Sequence, residues 1–183
     1  MLLADRLALR LNQGLSMAIA RMGGLMLLEG EPAPLFDLPS SDGDRVKLRP
    51  LRGGPVVLYF YPADDTSACT LEAQRFEDLR GEFLACGARI VGVSPDGIAS
   101  HCKFRDKYSL GFSLASDEDL TVCKAYGVWT EKLMFGRRYM GVERTTVLID
   151  ARGAVACIWR KVRVPGHAEK VLAALKSLAV VKR

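Results

Sequence analysis

The sequence predicts an α/β domain with a central mixed β-sheet flanked by helices. Three observations lead there. The continuous apolar run VVLYFY from Val56 to Tyr61 has the make-up of a strand buried on both faces, and ARIVGVS from Ala88 to Ser94 reads as a second buried strand. Helical apolar spacing separates and follows them, which is the order of parallel strand–helix–strand units. Late in the chain RTTVLID and AVACIWR flank the turn Ala151-Arg152-Gly153, which adds antiparallel pairing and makes the sheet mixed.

Residues 1–25 differ from the remainder. Leu3, Leu7, Leu11, Leu15 and Ile19 recur at four-residue spacing, with Arg6, Arg10 and Arg21 elsewhere, until Gly23-Gly24 breaks the stripe. The segment lacks the compact apolar core of a secretory signal, yet its Arg-bearing, acid-poor character overlaps with organelle transit peptides. Three readings stand: a helical extension packing on the domain or a partner, a start assigned too early with Met26 as the true start, or a targeting peptide. The domain itself is expected over residues 26–183.

From Gly30, GEPAPLFDLPSSDG is turn punctuation around a short apolar segment. Pro62 ends the first strand. Helical spacing then runs through Ala73, Phe76, Leu79 and Phe83, with Gly87 as its C-cap. After the second strand, a helix is expected over Ile98 to Tyr108, with Ser100, Lys103 and Lys107 on its polar side. Phe112 to Leu114 reads as a short extended piece, and Asp119 to Tyr126 as a helix stopped by Gly127. Arg144 to Asp150 and Ala154 to Arg160 are the late strand pair. WRKVRV, Trp159 to Val164, reads as strand with one solvated face, and Trp129 and Trp159 as structural. A closing amphipathic helix over His167 to Leu178 packs the stripe Val171, Leu172, Leu175 and Leu178. No internal repeat is present.

Composition narrows the function. The chain has 183 residues, 49% hydrophobic and 26% charged, which suits one folded domain with its own core. Net charge is +5, but no block of Lys and Arg concentrates it, so no nucleic-acid partner is expected. No apolar run approaches the ~20 residues of a membrane span. The five cysteines, Cys69, Cys86, Cys102, Cys123 and Cys157, are widely spaced and lack any C-x-x-C, and the only histidines are His101 and His167. That is a poor disulfide scaffold and a poor metal site, so neither metal nor cofactor is expected. A reducing, cytoplasmic location fits, with organelle targeting through residues 1–25 the lesser alternative.

Chemistry gathers in YPADDTSACT. Cys69 falls in the predicted first turn of a helix that follows a central strand. Unpaired backbone N–H groups and partial positive charge at a helix N-terminus favour a thiolate. Ligands of open α/β sheets also collect at the carboxyl ends of strands. A buried cysteine is often only a small hydrophobe, but here Thr66 stands three residues earlier. A hydroxyl can donate to one oxygen and accept from another group, and it cannot form a disulfide. Dithiol exchange is thereby excluded at this turn. Thiolate, hydroxyl and helix N–H groups converge as a set for a small polar substrate with two oxygens.

The string PADDTSAC fits the peroxiredoxin pattern P-x-x-x-T-x-x-C at Pro62, Thr66 and Cys69. VVLYFYPADDTSACTLEA, MLLEGEPAPLFDLPSSDG, SDEDLTVCKAYGVWTEK and YMGVERTTVLID further resemble the peroxiredoxin Q, or bacterioferritin comigratory protein, subfamily over about Met26 to Leu178. The resemblance implies a thioredoxin-like fold and a thiol peroxidase. Cys69 would be its peroxidatic cysteine, Thr66 a peroxide-binding hydroxyl, Arg144 the active-site arginine and Pro62 the residue that shapes the loop and shields the sulfur. It implies hydrogen peroxide and organic hydroperoxides as substrates, thioredoxin or a glutaredoxin-type dithiol as reductant, and a monomer or weak dimer.

Many members of that subfamily carry the resolving cysteine five residues after the first. Here that position is Gln74. Others carry it in the next helix, at the place of Arg105, one turn after Cys102. Cys102 is therefore the resolving candidate, with Cys123 or an external thiol as alternatives, and some unwinding of the first helix is expected for either cysteine. Cys157 is expected in the core, Cys86 to be inert at a helix end, and His101 on a helix surface. The competing function is a peroxide sensor or redox-regulated binding protein using the same sulfenic acid. Thr66 and Arg144 favour turnover, because a sensor needs oxidation but little catalytic rate.

Overall fold

The structure is a computed structural model that describes residues 27–51, 53–134 and 136–180. The 1–25 extension and Met26 lie outside the described residues. The chain first forms a small antiparallel hairpin, β1 (Asp37–Pro39) with β2 (Arg45–Lys47), and a single turn, α1 (Leu48–Leu51). Then come β3 (Val56–Phe60), α2 (Ser67–Asp78), α3 (Arg80–Ala85), β4 (Arg89–Ser94), α4 (Ile98–Tyr108), β5 (Ser113–Ser116) and α5 (Thr121–Ala125). A second hairpin, β6 (Trp129–Met134) with β7 (Arg137–Val142), precedes β8 (Thr145–Ile149), β9 (Val155–Trp159) and α6 (His167–Val180).

Five strands make the central sheet in the order β5-β4-β3-β8-β9. β3, β4 and β5 are parallel, while β8 is antiparallel to both β3 and β9. The expected mixed sheet flanked by helices is therefore present. Every residue of β3 is buried, which explains its unbroken apolar run. Its side chains still alternate between two cores. Leu58 and Phe60 join Val91, Val93, Tyr126, Val147 and Ile149 on one face. Val57 and Tyr59 join Phe76, Phe83, Phe104, Leu148 and Leu175 on the other, under α2, α3, α4 and α6.

Three expectations are corrected. The helix expected through Phe83 divides at Leu79, whose backbone (φ −97°, ψ 0°) leaves the helical region. Apolar spacing continues across the break because both pieces pack Phe76 and Phe83 into one core. The strand expected over Trp159–Val164 stops at Trp159. Lys161 adopts φ +50°, turning the chain so that Val162 N–H donates to the carbonyl of Arg144. The helix expected from Asp119 begins at Thr121, because Leu120 lies at φ +62°. The buried Asp117 carboxylate accepts the N–H groups of Val122 and Cys123 and caps it. The β1–β2 and β6–β7 hairpins were not foreseen. Among the described residues, no helix is long and apolar enough to cross a membrane.

Gly87 closes α3 at φ +72°, with the N–H of Ala88 donating back to the carbonyl of Phe83 at 2.9 Å. That turn presses against Gly54, where a Cβ would stand 2.5 Å from the Gly87 carbonyl oxygen. Backbone cannot step aside as a side chain can. Gly54→Ala should therefore lower stability by roughly 1–3 kcal/mol, measured by urea unfolding. An unchanged midpoint would show that the two turns do not touch.

Candidate active site

Strand register explains why distant residues meet. β3 delivers the chain to its carboxyl end, where Pro62, which has no N–H to continue the ladder, ends the strand. The loop then turns into α2. β8 runs antiparallel to β3 with Phe60 opposite Thr145, so the residue before Thr145 arrives at the β3 exit. That residue is Arg144. Its Nη2 donates to Cys69 Sγ at 3.3 Å, and its Nη1 donates to Glu72 Oε2. Cys69 is the third residue of α2, and Glu72 follows on the same helical face. One guanidinium thus holds both groups with adjacent donors.

The group is nearly sealed. Side-chain exposure is 13% for Arg144 and 1% for Glu72, and Cys69 is 1% exposed. Burial pushes the Glu72 carboxyl up to about 7, against the pull of Arg144. Burial also acts to lower Arg144, but the charges of Glu72 and Cys69 outweigh it and hold the guanidinium above its ordinary range. Lys132 of β6 stands at the edge of the same field. Burial lowers its amine, which donates to the Val142 carbonyl.

Thr66 directly precedes α2 in extended conformation (φ −82°, ψ 148°), and its hydroxyl makes no cap bond. Its polar contact is a long one, 3.4 Å to the Ala63 carbonyl, and the side chain faces outward at the mouth of the site. The hydroxyl is therefore free to turn toward a bound molecule. Pro62 is exposed in the same loop.

The remaining cysteines separate by environment, and all five are free thiols. Cys102 is half-buried on α4, its Sγ 3.7 Å from the Ser41 carbonyl, which also receives Arg105 Nη1. Cys69 and Cys102 thus rest against different partners. Cys123 is buried, and desolvation followed by Asp117 pushes its thiol far up, which disfavours it as a nucleophile. Cys86 caps α3. Cys157, expected in the core, is half-buried on β9 and packs against the core cluster beneath α2 and α6.

His101 corrects the sequence expectation. Its side chain is 0% exposed, and Nδ1 lies 2.8 Å from Asp64 Oδ2. Burial alone would raise Asp64, but bonds from His101, Ser100 and Tyr61 hold it below the ordinary carboxylate range. Sequence reasoning missed Glu72, Asp64 and Lys132. For Glu72 a signal existed, since it stands three residues from Cys69 on one helical face.

The chain is similar to known proteins over most of its length. Residues 30–158 match the AhpC/TSA family. The chain is 47% identical over 150 residues to peroxiredoxin Bcp of Xanthomonas campestris pv. campestris, covering 81% of this chain and 94% of the relative. It is 43% identical over 150 residues to peroxiredoxin Bcp of Bacillus subtilis, covering 82% and 96%. Among solved structures, the bacterioferritin comigratory protein of Xanthomonas campestris superposes with a TM-score of 0.77 at 41% identity, covering 86% of this chain and 99% of the other. The alkyl peroxide reduction activity of that protein was studied in trapped intermediate/ligand complexes.

Glu72 generates a pH prediction. With its carboxyl raised from 4.5 to about 7 in the fold, the folded chain holds more protons than the unfolded chain between those values. The contribution of Glu72 to stability is full below pH 4.5 and is lost as pH rises through 7. Relative to Glu72→Gln, the wild type should lose stability over that window in denaturant titrations at several pH values. A difference running the other way would mean that Arg144 outweighs burial.

Proposed function

The chain belongs to the AhpC/TSA family, in its peroxiredoxin Q branch, and is a thiol peroxidase; we propose that Cys69 is its peroxidatic cysteine, served by Arg144 and Thr66 and resolved by Cys102. The observation that carries the assignment is the bond from Arg144 Nη2 to Cys69 Sγ at 3.3 Å.

In this reading the Cys69 thiolate attacks one oxygen of a hydroperoxide. The O–O bond breaks, OH remains on sulfur as a sulfenic acid, and the other oxygen leaves as alkoxide or hydroxide and takes up a proton. Negative charge passes from sulfur to the leaving oxygen. The guanidinium and the N–H groups at the start of α2 stabilise that charge throughout, and the Thr66 hydroxyl lines up the peroxide. Glu72 orients the guanidinium without touching the substrate. Hydrogen peroxide and small organic hydroperoxides both suit a site whose donors address only the two oxygens.

Cys102 then attacks Cys69 sulfur. An S–S bond replaces the S–O bond, and water leaves. The two sulfurs rest against different partners, so the first turn of α2 has to unwind before disulfide geometry is reached. An external dithiol, thioredoxin or a similar reductant, restores both thiols by exchange. A reducing compartment suits this cycle.

Arg144→Ala should slow sulfenic acid formation by roughly 10²–10³ in rapid-mixing kinetics, with secondary structure retained. A near-normal rate would remove Arg144 from the mechanism. Mass spectrometry after one equivalent of hydrogen peroxide should find a Cys69–Cys102 bond that is absent from Cys69→Ser. A trapped Cys69 sulfenic acid with no internal bond would assign resolution to an external thiol.

A further inference from the structure

The loop that carries Thr66 is bound from the side by α4, through groups the peroxidase chemistry does not use. The Asp64 side chain is 4% exposed. Its Oδ1 accepts the Tyr61 hydroxyl at 2.7 Å, and its Oδ2 accepts the Ser100 hydroxyl at 2.7 Å and His101 Nδ1 at 2.8 Å. Asp64 is an acceptor on both oxygens, so the shared proton sits on the histidine nitrogen. The backbone N–H of Asp64 donates to Asp96 Oδ2 at 2.8 Å, beyond the end of β4. One residue on, Asp65 at φ +56° accepts Lys107 Nζ at 2.7 Å and the Tyr108 hydroxyl at 2.6 Å.

Two adjacent loop residues are thus tied to opposite ends of one helix. Ser100 and His101 lie near the start of α4, Lys107 and Tyr108 at its end, and Cys102 lies between. The contacts are unequal. The Asp65–Lys107 pair is solvent-exposed and contributes little. Asp64 is buried, and its release would strand a carboxylate and a ring nitrogen away from water. None of these contacts involves Cys69, Glu72 or Arg144, so they do not depend on the state of the sulfur.

We propose that Asp64 and His101 are positioning residues for resolution: they keep the loop fastened to α4 while α2 unwinds, so that Cys69 swings about Asp65 and is delivered to Cys102. This rests on the reading of Cys69 and Cys102 given above. Cys69 lies four residues beyond the pivot, a reach of at most about 14 Å. A tether that short keeps the sulfenic acid at high local concentration beside the helix that bears its partner. The bonds made and broken are those of the resolving step already written, and no further reactant is needed.

The test separates the two steps on the full chain. His101→Leu removes the donor, and His101→Asn keeps one where Nδ1 stands. Sulfenic acid formation and disulfide formation are followed separately by rapid mixing, and sulfinic acid at Cys69 is measured by mass spectrometry as peroxide is raised. In His101→Leu, sulfenic acid should form within about three-fold of the wild-type rate while disulfide formation slows at least about ten-fold. Sulfinic acid should accumulate at lower peroxide, and His101→Asn should restore most of the disulfide rate. If His101→Leu does not fold, Ser100→Ala carries the same expectation at about three-fold or more. Disulfide formation at the wild-type rate in these variants, or an equal fall in both steps, would overturn the latch alone. Absence of a Cys69–Cys102 bond in the wild type would overturn the assignment of Cys102 and the latch with it.

Discussion

A cation buried beside a sulfur has to be answered from more than one side, and the site depends on how Arg144 is answered. Taking a guanidinium out of water costs several kcal/mol unless partners replace the solvent. Here the replacements are Cys69 and Glu72, three residues apart on one face of α2. The β3–β8 register fixes where the arginine starts, and α2 fixes where its acceptors stand. A slip of one residue in either element would present the guanidinium with the wrong face of the helix. The contact to which the proposed mechanism assigns preparation of the sulfur is therefore also the one that docks α2 at this end. In the proposed cycle oxidation bears on both roles: a Cys69 sulfenic acid would carry no charge for Arg144 to hold, and the first turn of α2 would lose part of its anchorage when resolution needs it to loosen.

Burial pattern decided which parts of the fold were legible. β3, β4 and β8 are covered on both faces; β3 is an unbroken apolar run, and β4 and β8 are rich in buried β-branched residues. The turn at Ala151-Arg152-Gly153 marks β8 and β9 as a pair in the sequence itself. The hairpins escaped for physical reasons. β1 and β2 are three residues each, too short for a period to register. β6 and β7 pair with each other and not with the main sheet, and Leu133, Tyr139 and Met140 are exposed, so hydrophobicity does not track an inward face. The division of the long helix at Leu79 was invisible because a break in backbone angle need not break apolar spacing.

At the site, the readable residues were those whose meaning is local. Cys69 and Thr66 lie within one strand-to-helix turn, and Arg144 heads a strong strand. Their assembly needed only the direction of β8. The unread residues have meaning only through distant partners. A glutamate on an amphipathic helix ordinarily faces water; its spacing puts Glu72 on the face of Cys69, but does not announce an arginine 72 residues away. His101 sits between polar neighbours on a helix, which argues for exposure. Its burial follows from Asp64, 37 residues earlier, which brings a carboxylate under α4 and makes an inward imidazole the favourable choice.

The loop and the helix it leads into are secured in two different ways. α2 is held at its first turn by a contact made to the reacting sulfur, whereas the loop before it is held by Asp64 through donors that oxidation does not touch. A catalyst of this kind has opposing needs: a rigid pocket during attack and a mobile sulfur afterwards. Uniformly strong anchorage would protect the pocket and stall resolution. Uniformly weak anchorage would free the sulfur but let it wander from its partner. In the proposed cycle, placing the oxidation-sensitive contact on Cys69 and the insensitive one five residues upstream, beside the pivot at Asp65, lets one segment release while the other stays. On that proposal the chemistry of the sulfur sets the order of events, with no separate signal required.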